Sequence, residues 1–229
     1  MNRFSRLFAT SALVLAACGV ASATPIVAGQ TVVASQINYQ VSNVLANVFP
    51  PQSFSSQAPA GQTSSFSGQY GTAVTKDSSN NLCNSAGNCL TFIIQVANNS
   101  TSRDPIETVT TAVFGSGFTY NVGYGSSSGS VAPLYIALNS AGIFSFNFTQ
   151  PGSTTTAIQP GQTSNYLVIQ TSATAYTNGS ISFQDGQTAT VAGFMPSVAV
   201  TPEPSSLVLL GTGLIGTATT LLRRRKLVA

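Results

Sequence analysis

The sequence predicts an all-β protein: a single Ig-like antiparallel β-sandwich over residues 24–201, set between an N-terminal export signal and a C-terminal membrane segment. Three observations carry the fold class. Apolar residues alternate with polar ones at a period of two, as in "GIFSFNFT", where Phe144, Phe146 and Phe148 interleave with Ser145, Asn147 and Thr149. Asn178-Gly179 and Asp185-Gly186 separate apolar runs, and Asx-Gly pairs so placed are the strongest short-range hairpin signal. Strong helix formers such as Glu, Lys and Arg are scarce, since charged residues make up only 6% of the chain. About ten strand candidates follow one another from Gln36 onward, at the spacing of a sandwich.

Taken in order, the chain opens with Arg3 and Arg6 before an apolar stretch over residues 7–20. Ala21-Ser22-Ala23 then offers the small residues that signal peptidase accepts, so residues 1–23 read as a signal peptide and Thr24 as the mature start. The alternative is a lipobox, Leu15-Ala16-Ala17-Cys18, with Cys18 as a lipidated N-terminus. Cleavage after Ala23 is preferred, because a C-terminal anchor leaves less need for a second one. The segment "PPQSFSSQAPAGQTSS" reads as a loop or linker. Once Cys18 is removed, Cys83 and Cys89 in "LCNSAGNCL" form an even pair, and the small polar residues with Gly87 between them suit a bridged tight loop. In the oxidising space outside the membrane this is a structural disulfide, stabilising by roughly 2 to 2.5 kcal/mol through loop-closure entropy. Zinc is excluded there, because two thiolates with no histidine anywhere leave a tetrahedral site incomplete.

Further on, "LTFIIQVAN" and "YLVIQTSATAY" are continuously apolar, as strands covered on both faces are. In "GFTYNVGY", Phe118, Tyr120, Val122 and Tyr124 alternate with Thr119, Asn121 and Gly123, and "YGSSSGSVAP" follows as an exposed loop. Residues 139–142 turn "LYIAL" into the Phe-alternating strand, and Pro160-Gly161 fits the centre of a type II turn. With Asn178-Gly179 and Asp185-Gly186 as its two turns, the last third is expected to be a three-strand antiparallel meander.

Charge bounds the chemistry. The net charge of +3 is misleading, because six of the eight cations sit in the two terminal segments. Between them stand only Lys76, Arg103, Asp77, Asp104, Glu107 and Asp185. That leaves no clustered cations for nucleic acid. The absence of histidine rules out Ser-His-Asp and Cys-His catalysis and histidine-bearing metal sites. A Ser–Lys pair has only Lys76, which with Asp77 lies in "TKDSSNN" and reads as a solvated turn. A glycosidase needs two carboxylates across a cleft, but Asp185 is accounted for by its hairpin and Asp104-Pro105 by a loop. Asp104 and Glu107 with backbone carbonyls are a Ca²⁺ alternative to a solvated rim. No catalytic residue, cofactor or metal site is assigned, and a non-enzymatic protein is expected. The alternative is a carbohydrate-binding or adhesive module, for which Tyr124 is the candidate exposed ring in a chain without Trp. The N-x-[ST] matches at Asn98, Asn99, Asn147 and Asn178 follow from the Asn/Ser/Thr-rich composition.

The C-terminal segment is the most informative part. Residues 207–222 carry no charge, and as a helix they would span roughly 24 Å against a hydrocarbon core of about 30 Å. Ser205, Ser206 and snorkelling cations make up the difference. Arg223, Arg224, Arg225 and Lys226 follow at once, a stop-transfer pattern that places that end in the cytoplasm. Pro202-Glu203-Pro204 precedes the apolar run, and two prolines keep such a segment extended and free of intrachain hydrogen bonds, as a protease cleft requires. This tripeptide, apolar helix and basic cluster, together residues 202–229, resemble the PEP-CTERM sorting tail of Gram-negative bacteria. The resemblance implies recognition and cleavage near the motif by exosortase, a membrane-embedded cysteine enzyme. It also implies delivery to the cell surface or an extracellular polysaccharide matrix. Residues 158–194 further resemble the end of a β-sandwich ectodomain recurring in PEP-CTERM proteins, a likeness that brings no catalytic residue with it.

Overall fold

Among the described residues, twelve strands build the fold. In the computed structural model the described residues are 24–39, 43–59, 65–83, 88–125, 130–150 and 156–198, with single positions 61, 63 and 212. The strands are β1 (Thr24–Ile26), β2 (Gln30–Val33), β3 (Val44–Ser55), β4 (Ser67–Lys76), β5 (Leu90–Asn98) and β6 (Thr108–Val113). The second half contributes β7 (Tyr120–Gly125), β8 (Tyr135–Leu138), β9 (Ile143–Asn147), β10 (Tyr166–Thr171), β11 (Ala175–Gln184) and β12 (Thr188–Ser197). They form two six-stranded sheets, ordered β1-β7-β10-β5-β4-β3 and β12-β11-β6-β9-β8-β2. Every strand pair within them is antiparallel. The all-β sandwich is therefore the fold.

The alternation read in "GIFSFNFT" places Phe144, Phe146 and Phe148 fully inside. Aromatic rings knit the two sheets together. Phe144 meets Tyr120 edge-on at 5.1 Å and Phe114 at 5.3 Å, while Phe114 meets Phe92 at 5.0 Å. Nearer the other end, Phe54 of β3 lies 4.3 Å from Phe183 of β11. Such edge-to-face pairs add about 0.5–1.5 kcal/mol each beyond the area they bury. As expected from their continuous apolar runs, β5 and β10 sit inside their sheet, and both faces of each are largely covered.

On the outer face of that sheet, the covering element is the segment after β2. Ile37 is buried against β7, where a Cβ on Gly123 would stand 2.6 Å from the Ser35 carbonyl and 2.9 Å from Ile37 Cβ. The expected turns at 139–142 and at Pro160-Gly161 are present. Gly142 N–H donates to Asn139 O at 3.0 Å and Gln162 N–H to Gln159 O at 2.9 Å, with Gly142 and Gly161 both at positive φ.

Three expectations need correction. Asn178-Gly179 is no hairpin: β11 runs straight through it, and neither residue has positive φ. Gly179 faces Gly193 in a ladder reaching from Ala175↔Ser197 to Gln184↔Thr188, and a Cβ there would stand 3.0 Å from Ala112 Cβ. The glycine serves close strand packing. The meander fails with that turn, since residues 172–174 carry the chain from β10 in one sheet to β11 in the other. The Asp185-Gly186 hairpin holds, though as a three-residue loop in which only Gly186 takes positive φ.

Lastly, Pro50 and Pro51 are not linker but part of β3. Proline lacks the N–H that an inner ladder needs, yet β3 is an edge strand and its register shifts between Val48 and Gln52.

Candidate functional site

At one end of the sandwich the hairpin β11–β12, the β5–β6 connection and the loop after β3 meet. This corner gathers two of the acidic residues that the sequence singles out. Asp185 Oδ1 accepts hydrogen bonds from Ser65 Oγ at 2.9 Å and from the Gln187 N–H at 3.2 Å. Its Oδ2 is buried and has no hydrogen-bond partner among the described residues. Burial pushes the Asp185 carboxyl up from its ordinary value and the Asp104 carboxylate adds to this, against the Gln187 and Ser65 hydrogen bonds and the Arg103 charge. Asp104 itself pairs with Arg103 at 2.8 Å.

Ser56 and Gln187 complete the corner. Ser56 Oγ donates to Gln187 Oε1 at 2.9 Å and accepts from the Ser65 and Phe66 N–H groups. These bonds tie the loop after β3 to the β11–β12 hairpin, and Asp185 is one of the ties. Ser65 lies 120 residues from Asp185, so no local pattern in the sequence joins them.

The remaining acids are held apart from this corner or by their backbones. Glu107 donates its N–H to Gln184 O and accepts at its carbonyl from the Phe148 N–H. Among the described residues no group of three or more His, Cys, Asp or Glu side chains is placed to hold a metal ion. Asp77 corrects the solvated reading of "TKDSSNN": it is fully buried, accepting from Ser79 N–H at 2.8 Å, Ser79 Oγ at 2.6 Å and Thr91 Oγ1 at 3.3 Å. A buried carboxylate needs such donors, and the one that a scan along the chain overlooks is Thr91, fourteen residues on.

Tyr124 is only half-exposed. Tyr39 lies across Gly125 and 6.0 Å from the Tyr166 ring, and burial together with Tyr166 pushes its phenol to about 12.

The opposite end of the sandwich has a different character. An apolar cleft of about 550 Å³ lies there, lined among others by Ile26, Val27, Leu82, Phe118 and Leu138. Tyr120 on its wall directs its hydroxyl to Phe114 O and Gly115 O, at 2.7 and 2.8 Å. Cys83 and Cys89 form the expected disulfide beside the cleft, with Cα atoms 5.7 Å apart. The last strand, β12, ends at this same end with Ser197 paired to Ala175.

Beyond it lie Pro202, Glu203, Pro204, Arg223, Arg224, Arg225 and Lys226, all outside the described residues, as are Ala21, Ala23 and Cys18 at the other terminus. Of residues 207–222 only Thr212 is described. Among the described residues no helix is long and apolar enough to cross a membrane.

Comparison with curated proteins and with solved structures gave no match. Residues 200–226, however, match the family described as the PEP-CTERM protein-sorting motif, in the span where tripeptide, apolar run and basic cluster follow one another. The chain therefore carries a PEP-CTERM protein-sorting motif over residues 200–226, and that motif implies an exported protein sorted to the cell envelope or surface.

Proposed function

We propose that this is a non-enzymatic protein of the cell surface or extracellular matrix of a Gram-negative bacterium. In this reading it is exported behind a cleaved signal peptide, held in the inner membrane by residues 207–222, and processed by exosortase at its tail. The observation that carries the reading is the motif itself: it begins at residue 200, three residues after β12 ends. The strand ladder thus hands the chain almost directly to the sorting segment. A non-enzymatic role is supported by what the acids do, since Asp185 and Asp77 accept hydrogen bonds that shape their own turns and neighbours. The partial burial of Tyr124, the one candidate ring, weighs against the carbohydrate-binding or adhesive alternative. Antiparallel two-sheet packing is what supports the Ig-like description, although twelve strands exceed the seven to nine of an Ig domain.

Two physical requirements meet at the tail. The four cations resist translocation across hydrocarbon and so hold the chain, while the extended Pro202-Glu203-Pro204 segment waits outside for cleavage. Intact-mass measurement of the surface fraction is expected to show a protein lacking everything from about Pro204 onward. Neutralising Arg223, Arg224, Arg225 and Lys226 should release full-length protein, whereas Ala at Pro202, Glu203 and Pro204 should leave it uncleaved in the membrane. A mature surface species still ending at Ala229 would refute processing.

A further inference from the structure

Five of the six large apolar side chains exposed among the described residues lie at one end of the sandwich and four of its six charged residues at the other, with Val33 the apolar exception. Val27 (61% exposed), Val113 (51%), Val198 (73%), and Val44 and Leu45 (both 41%) all lie at the end where β12 releases the tail. Strand register shows this. Ser197 faces Ala175 at the start of β11, Val113 ends β6 opposite Ile143, Val44 faces Thr75 at the end of β4, and Val27 follows the Ile26↔Tyr120 pair. The apolar cleft sits among them. Arg103, Asp104, Glu107 and Asp185 lie at the other end, with the β11–β12 hairpin and the start of β6. At the tail end the charged residues are Lys76, and Asp77, which is fully buried.

We propose that this tail-side end is a membrane-contact surface: while the chain is anchored, Val27, Leu45 and Val113 rest on the outer leaflet of a phospholipid bilayer, with the cleft turned toward it. The inference rests on the reading that residues 207–222 span the membrane. From Val198 to Leu207 the chain advances nine residues, which reach at most about 32 Å fully extended. The tether therefore leaves from the apolar end and keeps that end within about 32 Å of the lipid. An apolar patch without an exposed carboxylate, and with Lys76 at its edge, suits an interface of acyl chains and anionic headgroups. On cleavage near Pro204 the tether is lost and contact with it.

Because the protein contains no Trp, single introduced tryptophans report their own surroundings. Full-length Val27→Trp, Leu45→Trp, Val113→Trp and, as the far-end control, Val33→Trp are reconstituted into phosphatidylethanolamine/phosphatidylglycerol vesicles with and without brominated acyl chains. Val33 is 79% exposed and sits at the opposite end, facing Tyr135. The proposal expects vesicle flotation of all four variants, with severalfold quenching at the three tail-side positions and little at Val33→Trp. Adding Val27→Asp and Val113→Asp to Leu45→Trp should abolish its quenching without affecting flotation. Unquenched tail-side tryptophans in floating protein would overturn the surface while leaving the membrane span intact. Protein that does not float would overturn the span and the surface together. Quenching equal at Val33→Trp would show no preferred end, and a blue shift that depends on protein concentration but not on bromine would mean contact between copies. Either result would overturn the proposal.

Discussion

Phe146→Ala tests whether the two sheets are held by the aromatic layer that their alternation implies. Phe146 is fully buried. It stands in β9, flanked on both sides, with Val109 of β6 and Ile136 of β8 as its register partners. A fully buried phenylalanine removes on the order of 150 Å² or more from water, and at about 25 cal/mol per Å² this corresponds to roughly 4 kcal/mol. Large-to-small changes at such sites, where neighbours collapse only partly into the cavity, cost about 3–5 kcal/mol. With a urea slope of about 2 kcal/mol per M for a domain of this size, the midpoint should fall by about 1.5 to 2.5 M at unchanged slope. Urea unfolding of the exported protein, followed by far-UV circular dichroism, measures it directly. The flanking strands leave little room for the site to relax, because β6 and β8 both bond to β9. A loss below about 1 kcal/mol would refute the inward assignment of this face and with it the packing of the sheets.

Two further outcomes follow from the geometry. Cys83→Ser should lower stability by roughly 2 to 2.5 kcal/mol, as expected for opening a closed loop this short, and finding both thiols free in the native exported protein by mass spectrometry would contradict the bridge. Asp185→Asn keeps the acceptor for Ser65 and Gln187 while removing the charge. Because the folded-state pKa of Asp185 is raised above the ordinary 3.8, the folded protein holds more protons than the unfolded chain between those two values. Wild-type stability should therefore fall as pH rises through that window and level off above it. Thermal midpoints of the variant should match wild type below the window and exceed it above; an unchanged slope in the variant would show that burial of Asp185 is not its source.

What could be read along the chain, and what could not, separates by the range of the interaction responsible. The Phe144, Phe146 and Phe148 stripe, the turns at Gly142 and Gly161, and the Cys83–Cys89 bridge depend on residues within about one strand of each other, and all are present. The sorting motif is legible for the same reason, since its three parts are contiguous. Asn178-Gly179 shows where local chemistry loses. Its turn preference is outweighed by a ten-pair ladder between β11 and β12, whose partner residues lie too far along the chain to weigh from a dipeptide. Pro50 and Pro51 fail in the opposite direction: they forbid an inner strand, but only the sheet order makes β3 an edge. The short strands β1 and β2 carry too few residues for a period to register.

The same logic governs the membrane-facing end. Val27, Leu45, Val113 and Val198 belong to four separate elements, and each alone is an ordinary exposed aliphatic. They become a surface only because antiparallel pairing brings the end of β1, the start of β3, the end of β6 and the end of β12 to one side. Those same pairings place Arg103, Asp104, Glu107 and Asp185 on the other side, leaving Lys76 and the buried Asp77 on this one. A sorting tail needs no particular domain ahead of it, so the orientation of charge and apolar surface relative to its exit is a property of the ectodomain. That is why tryptophans at both ends, and not changes in the tail, are the means of detecting it.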